Sequence, residues 1–184
     1  MIRRPPRSTL DRSSAASDVY KRQPPGRSAI WLLTSGAEQP KWAAIMTTYV
    51  DTSTLLKLIV AETGTDDAYA VSGNAKSLVA VSLIEVEAAA ALAAAHRQGR
   101  LTMEALHLAE HSLDDLVEQL DIIEVDAELT ERARKLAPDH ALRGYDAVHL
   151  AAATMVGADV FTSADSALCD AAASEGMLVA NPLD

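Results

Sequence analysis

Four acidic residues lie where the sequence pattern predicts that strands give way to helices: Asp51, Glu85, Asp146 and Asp165. Asp51 and Asp165 follow apolar runs typical of buried strands, and Glu85 comes shortly after another; Asp146 opens a predicted helix. In a parallel α/β sheet the carboxyl ends of the strands share one edge, where ligands bind. The four carboxylates could therefore converge, and hard oxygen ligands suit Mg²⁺ or Mn²⁺. This pattern favours a metal-dependent phosphodiester enzyme.

Each of these acids also has a purely structural explanation. Asp51 and Asp165 could simply cap the helices that follow them. Ser82-x-x-Glu85 matches the capping box, in which the serine and the glutamate bond each other's backbone amides. An aspartate in the first turn of a helix, such as Asp146, is favoured by the helix dipole. The hypothesis of a metal site therefore depends on the joint placement of the four acids.

Three further residues near these acids have two interpretations each. His149 lies three residues after Asp146 on a helix that is apolar nearly all round, so a mixed Asp/His site is conceivable. A hydrogen-bonded core histidine is the favoured interpretation of His149. Arg143 could contact a phosphate or remain a solvated surface side chain. Glu87 lies on a different helix face from Glu85 and is expected to be the poorer candidate.

The composition indicates one globular domain. A chain of 184 residues can bury a sizeable core, its 49% apolar content argues against general disorder, and its 4% aromatic content predicts a core of Ala, Leu and Val. The single cysteine, Cys169, cannot form an internal disulfide, so we expect a reducing, cytoplasmic setting. No stretch approaches the ~20 apolar residues that a membrane span requires.

The net charge of −10 is unevenly distributed. Residues 1–45 contain eight Lys or Arg and three Asp or Glu, a net charge of +5, whereas residues 46–184 contain eight and 23, a net charge of −15. An acidic body argues against a broad nucleic-acid-binding surface, since phosphate contacts need Lys and Arg. A bound metal could supply positive charge where it is needed.

The first 45 residues differ from the rest of the chain. They are rich in Arg, Pro and Ser and show neither a helical nor an alternating period. Their sequence resembles a translation product of sequencing-adapter DNA; a signal peptide fits less well, because the apolar patch at 29–33 is short and follows prolines. We expect residues 1–45 to be a non-native or disordered extension, the natural start to be Met46, and the domain to span residues 46–184.

From residue 46 onward, predicted strands and helices alternate. We expect strands at 49–51, 77–81, 122–125, 159–162 and 177–180. We expect helices at 52–60, 68–72, 83–98, 102–120, 127–136, 145–156 and 166–174, with a loop at 62–67. Gly99 should cap the third helix, and Pro138 should stop the fifth. The alternation predicts the α/β class, with a central parallel sheet covered by helices on both faces.

The motifs that contain the four acids resemble those of the PIN domain. They are YVDTSTLLKL around Asp51, Ser82-x-x-Glu85 before an alanine-rich helix, LRGYDAVHLAAA around Asp146, and FTSADSAL around Asp165. The ordered set spans residues 46–184 and is most similar to the VapC-type toxins of bacterial toxin–antitoxin pairs. The resemblance implies a three-layer α/β/α sandwich.

The resemblance also implies an activity, Mg²⁺- or Mn²⁺-dependent cleavage of RNA by an endoribonuclease. Carried over to this chain, Asp51, Glu85, Asp146 and Asp165 form an acidic metal-binding and catalytic quartet. Ser163 stands where the family often has threonine, a departure whose hydroxyl could still hydrogen-bond a carboxylate. The implied partners are an RNA substrate, a small antitoxin whose tail occupies the acidic groove, and a second copy of the chain in a homodimer.

The carboxylates would hold one or two ions that activate a water molecule and stabilise charge on the phosphate. Asp51 and Asp146 are the expected direct ligands. Glu85 and Asp165 could ligate the ion, hold its water molecules or act as the base.

Two other functions fit parts of the sequence. A PIN-like binding module with little catalysis is favoured by the charge of −15 and the scarcity of Lys and Arg. A haloacid-dehalogenase-like phosphotransferase would also place an Asp after the first strand. That enzyme needs a second Asp two residues after Asp51, where this chain has Ser53, and a lysine near the last acids, where this chain has none.

Overall fold

The computed structural model describes residues 46–184, and the predictions made for residues 1–45 lie outside them. The strands are β1 Thr47–Val50, β2 Ser77–Val81, β3 Asp121–Ile123, β4 Val160–Thr162 and β5 Leu178–Ala180. The helices are α1 Thr52–Ile59, α2 Thr65–Gly73, α3 Leu83–Arg97, α4 Met103–Val117, α5 Ala127–Asp139, α6 Gly144–Val156 and α7 Ser166–Ser174. None of these helices has both the length and the apolar character needed to cross a membrane.

The five strands form one parallel sheet in the order β3-β2-β1-β4-β5. With β1 in the centre, β2 and β3 follow on one side of the sheet, and β4 and β5 follow on the other. The order reverses between β1 and β4, which is where open α/β sheets form their ligand crevice. The amide of Asp51 donates a hydrogen bond of 3.0 Å to the carbonyl of Thr162, so the pairing of β1 with β4 continues to the edge of the sheet.

Helices cover both faces of the sheet, because alternate strand residues point to opposite sides. One core joins Tyr49 and Phe161 of the sheet to α5, α6 and α7. The other joins Val50 and Ala80 to α1, α3 and α4. The predicted three-layer α/β/α sandwich and its parallel sheet are therefore confirmed.

The middle of helix α6 is buried, as its apolar sequence predicts, whereas Gly144 and Tyr145 in its first turn are exposed. Ala151, Ala152 and Ala153 are fully inaccessible, and their small side chains allow neighbouring elements to approach closely. His149 is the buried polar residue of this helix, with 1% of its surface exposed. A polar ring at this depth needs hydrogen-bond partners.

Several predicted boundaries were wrong; the fourth helix ends at Val117 instead of residue 120, the third strand spans Asp121–Ile123, and two further differences have a clear backbone cause. Helix α2 begins at Thr65, within the loop predicted at 62–67, because Gly64 adopts a left-handed conformation (φ 88°) that allows an early turn into the helix. Helix α5 runs through Pro138 to Asp139. Proline removes one amide donor, but the last turn still closes two residues later, where the amide of His140 donates to Leu136 O at 3.1 Å.

The ends of α3 gave one confirmed and one wrong prediction. Gly99 has a φ of 73°, and its amide donates to His96 O at 2.9 Å, so it terminates the helix as predicted. Ser82 occupies the N-cap position, but its side chain makes no capping hydrogen bond. Its backbone is helical (φ −58°, ψ −18°) rather than extended, so the capping box predicted with Glu85 does not form.

Candidate active site

Asp51 is held in a fixed orientation at the carboxyl end of β1. Its Oδ2 accepts hydrogen bonds from the Ser53 amide at 3.2 Å, the Ser53 hydroxyl at 2.6 Å and the Ser163 hydroxyl at 2.9 Å. Asp51 therefore caps α1, as its structural explanation predicts, and it is also tied to the segment after β4. Among the hydrogen bonds of residues 46–184, none goes to Oδ1 of Asp51, which is the oxygen left for another ligand.

The segment after β4 is fixed by the same two serines. The Ser163 hydroxyl accepts a hydrogen bond from the Asp165 amide at 3.0 Å, and the Ser53 hydroxyl accepts one from the Ala164 amide at 2.8 Å. Ser163 is fully buried. The prediction that its hydroxyl bonds a carboxylate is confirmed, and the bond joins Asp51 to the backbone of Asp165.

Asp146 and Asp165 share a single cation, Arg143. Arg143 Nε donates to Asp146 Oδ2 at 2.9 Å, and its Nη2 lies 3.5 Å from Asp165 Oδ2. The other oxygen of Asp165 caps α7 by accepting from the amides of Ala167 and Leu168. The hydrogen bond that Arg143 donates to Asp146 raises the pKa of Arg143 above its ordinary value. Arg143 is thus a counter-ion for two of the predicted site acids.

His149 connects the other side of the site. Its Nε2 lies 2.7 Å from Glu87 Oε2, its Nδ1 lies 2.9 Å from the Tyr49 hydroxyl, and Nδ1 is 3.8 Å from Asp51 Oδ1. The Tyr49 hydroxyl also accepts from the Val81 amide at 3.2 Å. The favoured interpretation, a hydrogen-bonded core histidine, is confirmed. The mixed site with Asp146 does not form, because both ring nitrogens have other partners.

The pKa values of this network favour charged Glu87 and charged His149. Burial lowers the pKa of His149, but the hydrogen bond to Glu87 and the nearby Asp51 outweigh burial, and the net shift is upward. Burial raises the pKa of Glu87, but hydrogen bonds from His149 and Thr52 outweigh it, and the net shift is downward. Burial and Asp51 raise the pKa of Tyr49 well above 10, so Tyr49 stays neutral.

The ranking of Glu85 above Glu87 stays a prediction, but Glu87 makes contacts next to Asp51. Besides His149, it binds the Thr52 hydroxyl, 2.6 Å from its Oε2, directly beside Asp51. Glu85 is exposed, and within residues 46–184 no hydrogen bond or ion pair joins it to the other acids. Side chains two positions apart in a helix point in directions roughly 200° apart, so Glu85 and Glu87 cannot lie on the same side of α3.

No local signal in the sequence selects Glu87 over Glu85. The inward face of α3 is defined by its buried positions, which are Ile84, Ala88, Leu92 and Ala95. At about 100° per residue, Glu85 lies roughly 65° from the centre of that face and Glu87 roughly 95° from it. Glu87 makes its contacts because His149 and Thr52 lie on its side of α3, an arrangement that depends on the tertiary structure.

The site acids form two linked pairs. His149 joins Asp51 to Glu87, and Arg143 joins Asp146 to Asp165. Within residues 46–184, no group of three or more His, Cys, Asp or Glu side chains converges closely enough to hold one metal ion. The donor set, carboxylate oxygens at a sheet edge, suits Mg²⁺ or Mn²⁺. Arg143 occupies one carboxylate oxygen of Asp146 and one of Asp165.

The fold is that of a PIN domain. The family model described as PIN domain matches residues 48–174, and the chain belongs to this family. The membership excludes the haloacid-dehalogenase-like alternative.

Curated relatives and a solved structure agree with this assignment. The chain is 40% identical over 109 residues to Ribonuclease VapC45 and to Ribonuclease VapC49, from two strains of Mycobacterium tuberculosis. Each alignment covers 59% of this chain and 76% of the relative. The crystal structure of PAE2754 from Pyrobaculum aerophilum superposes with a TM-score of 0.56 at 22% identity, covering 74% of this chain and 85% of that one. That likeness shows the fold.

The His149–Glu87 pair predicts a pH-dependent contribution to stability. The contribution of His149 should be complete below its unfolded pKa near 6.5 and decline as pH rises through its higher folded pKa. The contribution of Glu87 should be present above its unfolded pKa near 4.5 and decline as pH falls through its lower folded pKa. The stability lost in a His149→Gln variant should therefore be largest between these two values.

Melting temperatures of wild type and His149→Gln from pH 4 to 9 test this. His140→Gln is a matched control, because His140 pairs with Glu175 at 2.9 Å and lies outside the His149–Glu87 network. A difference between wild type and His149→Gln that stays constant across this range would contradict the charge assignment.

Proposed function

We propose that this protein is a metal-dependent endoribonuclease that cleaves RNA phosphodiester bonds. The observation that carries the proposal is the placement of Asp51, Asp146 and Asp165 around the carboxyl ends of β1 and β4, linked through Ser163 and Arg143. This is the position where open α/β sheets bind ligands. The ribonuclease names of two relatives at 40% identity support RNA as the substrate.

Mg²⁺ or Mn²⁺ is the proposed cofactor, held by Asp51 and Asp146 with Asp165 and a glutamate of α3. When bound, the ion supplies activation of a water molecule and stabilisation of charge on the phosphate. Oδ1 of Asp51 is the oxygen proposed to bind the ion, because Oδ2 already accepts three hydrogen bonds. Glu85 is the glutamate implied by family resemblance, whereas the hydrogen bonds of Glu87 favour Glu87 for the same role.

The surrounding side chains position these acids. Ser53 and Ser163 fix the rotamer of Asp51 and connect it to the backbone after β4. His149, buried and bonded to Tyr49, holds Glu87 in its ionised form. Arg143 is 81% exposed, so it can leave the acids when a cation replaces it and is then free to contact a phosphate.

We also propose that this enzyme is the toxin of a toxin–antitoxin pair and forms a homodimer, as its resemblance to VapC-type toxins implies. The acidic edge around Asp51 would attract a basic antitoxin tail, since opposite charges steer association. Residues 46–184 carry a net charge of −15, which favours a basic partner over an acidic one.

A catalytically weak binding module remains the second candidate. It is favoured by the ion pairs of Arg143, which neutralise two of the acids without any metal. The two candidates differ in one measurable property, which is turnover of RNA.

Replacing Asp51 or Asp146 by Asn should reduce RNA cleavage by more than about 100-fold, since even residues that only orient metal ligands cost 10–100-fold. Cleavage of a broad RNA panel by the full chain, with Mg²⁺, Mn²⁺ or EDTA, measures this. Asp170→Asn is the matched control, because Asp170 is exposed on α7 and should be neutral. If wild type leaves every RNA intact with either metal, the binding module is correct.

The two glutamates of α3 are separated by a second pair of variants. Glu87→Gln should lower kcat by about 100-fold, because it removes a charge that His149 and Thr52 hold beside Asp51. Glu85→Gln, on the exposed face, should change kcat less than threefold. That is well below the roughly 10-fold loss expected when a residue that orients a metal ligand is removed. Single-turnover cleavage rates decide, and the reverse ranking would assign the role to Glu85.

A further inference from the structure

A cavity of about 420 Å³ lies between α1 and α3, beside the acidic site. Its walls include Leu92 and Leu101, and its polar lining includes Ser53, Lys57, Glu62 and Arg100. The volume falls in the range of about 300–1,000 Å³ typical of small-molecule sites, which combine apolar walls with a few placed polar groups. The roles described above for the acids do not involve this cavity.

The cavity shares a wall with the acidic site. Ser53 lines it, and the Ser53 hydroxyl is the 2.6 Å donor to Asp51 Oδ2. An occupant of the cavity therefore lies next to the carboxylate that we assign to the reaction. For a ribonuclease, the chemical group adjoining the scissile phosphate is a nucleoside.

The polar lining offers a donor and an acceptor side by side. Lys57 is buried, with 6% of its surface exposed, and its ammonium donates to Glu62 Oε1 at 2.7 Å and to Thr63 O at 2.9 Å. An ammonium has three N–H donors, so one is left beyond these two bonds. Glu62 is about half exposed and keeps its second carboxylate oxygen as an acceptor.

The Watson–Crick edge of guanine is complementary to this pair. It presents one acceptor, O6, next to two donors, N1–H and N2–H, whereas adenine, cytosine and uracil each present at most one donor group there. A carboxylate can accept both guanine donors while an ammonium donates to O6. Unstacked bases of single-stranded RNA also stack on the planar guanidinium groups of Arg side chains. Arg100 lines the cavity with its guanidinium held by two bonds to Gln98, at 3.0 and 3.1 Å.

We propose that the cavity between α1 and α3 binds a guanine base next to the scissile bond and so determines cleavage specificity, with Glu62 and Lys57 reading its Watson–Crick edge. The inference deepens the proposed function and rests on it for the identity of the polymer. Glu62 is then a specificity-determining residue that takes no part in the chemical step.

The first test is binding without catalysis. The full chain in EDTA is titrated with GMP, AMP, CMP and UMP, and backbone amide shifts are followed by NMR. GMP should shift the amides of Leu92, Ala95 and Leu101 and bind at least about tenfold more tightly than the other three, the usual discrimination of a bidentate contact. Glu62→Gln should abolish this preference, and Glu110→Gln, exposed on α4, should keep it.

The second test is the cleavage pattern on a random-sequence RNA pool. Wild type should cut with guanine enriched at one fixed position beside the cut, and Glu62→Gln should lose that enrichment, whereas Glu110→Gln should keep both the enrichment and the cleavage rate. Equal binding of all four nucleotides, absence of shifts at the cavity, or an unchanged cleavage pattern in Glu62→Gln would each overturn the inference. Selective GMP binding without any RNA cleavage would instead support the site and refute the proposed function.

Discussion

The site depends on the pairing of β1 with β4 in parallel register. Val50 lies opposite Thr162, so the residues that follow each strand, Asp51 and Ser163, leave the sheet side by side. The amide of Asp51 and its carboxylate both bond to the segment that contains Thr162 and Ser163. This junction fixes which oxygen of Asp51 remains available, and the other contacts of the site depend on it.

Electrostatics divide the site into a fixed half and an adjustable half. Like charges at one edge are costly, and each pair of acids here shares a cation. His149, whose side chain is 2% exposed, lies between Asp51 and Glu87 and cannot leave the core. Arg143 is 81% exposed, and exposed ion pairs contribute only about 0–1 kcal/mol, so a divalent ion can displace it at small cost. If the site holds the proposed ion, the Asp146–Asp165 half would be the one that rearranges around it.

The sequence predicted those features that follow from local period and strand order. The alternation of strands and helices, the buried α6 and the position of Asp51 at a strand end follow from hydrophobic patterning, and the structure has all three. The contacts that distinguish Glu87 from Glu85 depend on where His149 and Thr52 lie relative to α3. The bridge from Arg143 to Asp165 and the cavity beside Ser53 join segments distant in sequence. Such contacts have no local signal.

The central claim is that one ion is held by acids from three places: the end of β1, helix α6 and the β4–α7 turn. Paramagnetic broadening by Mn²⁺ tests this claim most directly. Substoichiometric Mn²⁺ added to the full chain should selectively broaden the NMR amide signals of Thr52, Ala147 and Ala164. Asp51→Asn and Asp146→Asn should each restore these signals. Broadening centred on acids elsewhere, such as Asp114 and Asp115 of α4, or broadening at the sheet edge that both variants leave unchanged, would contradict the account.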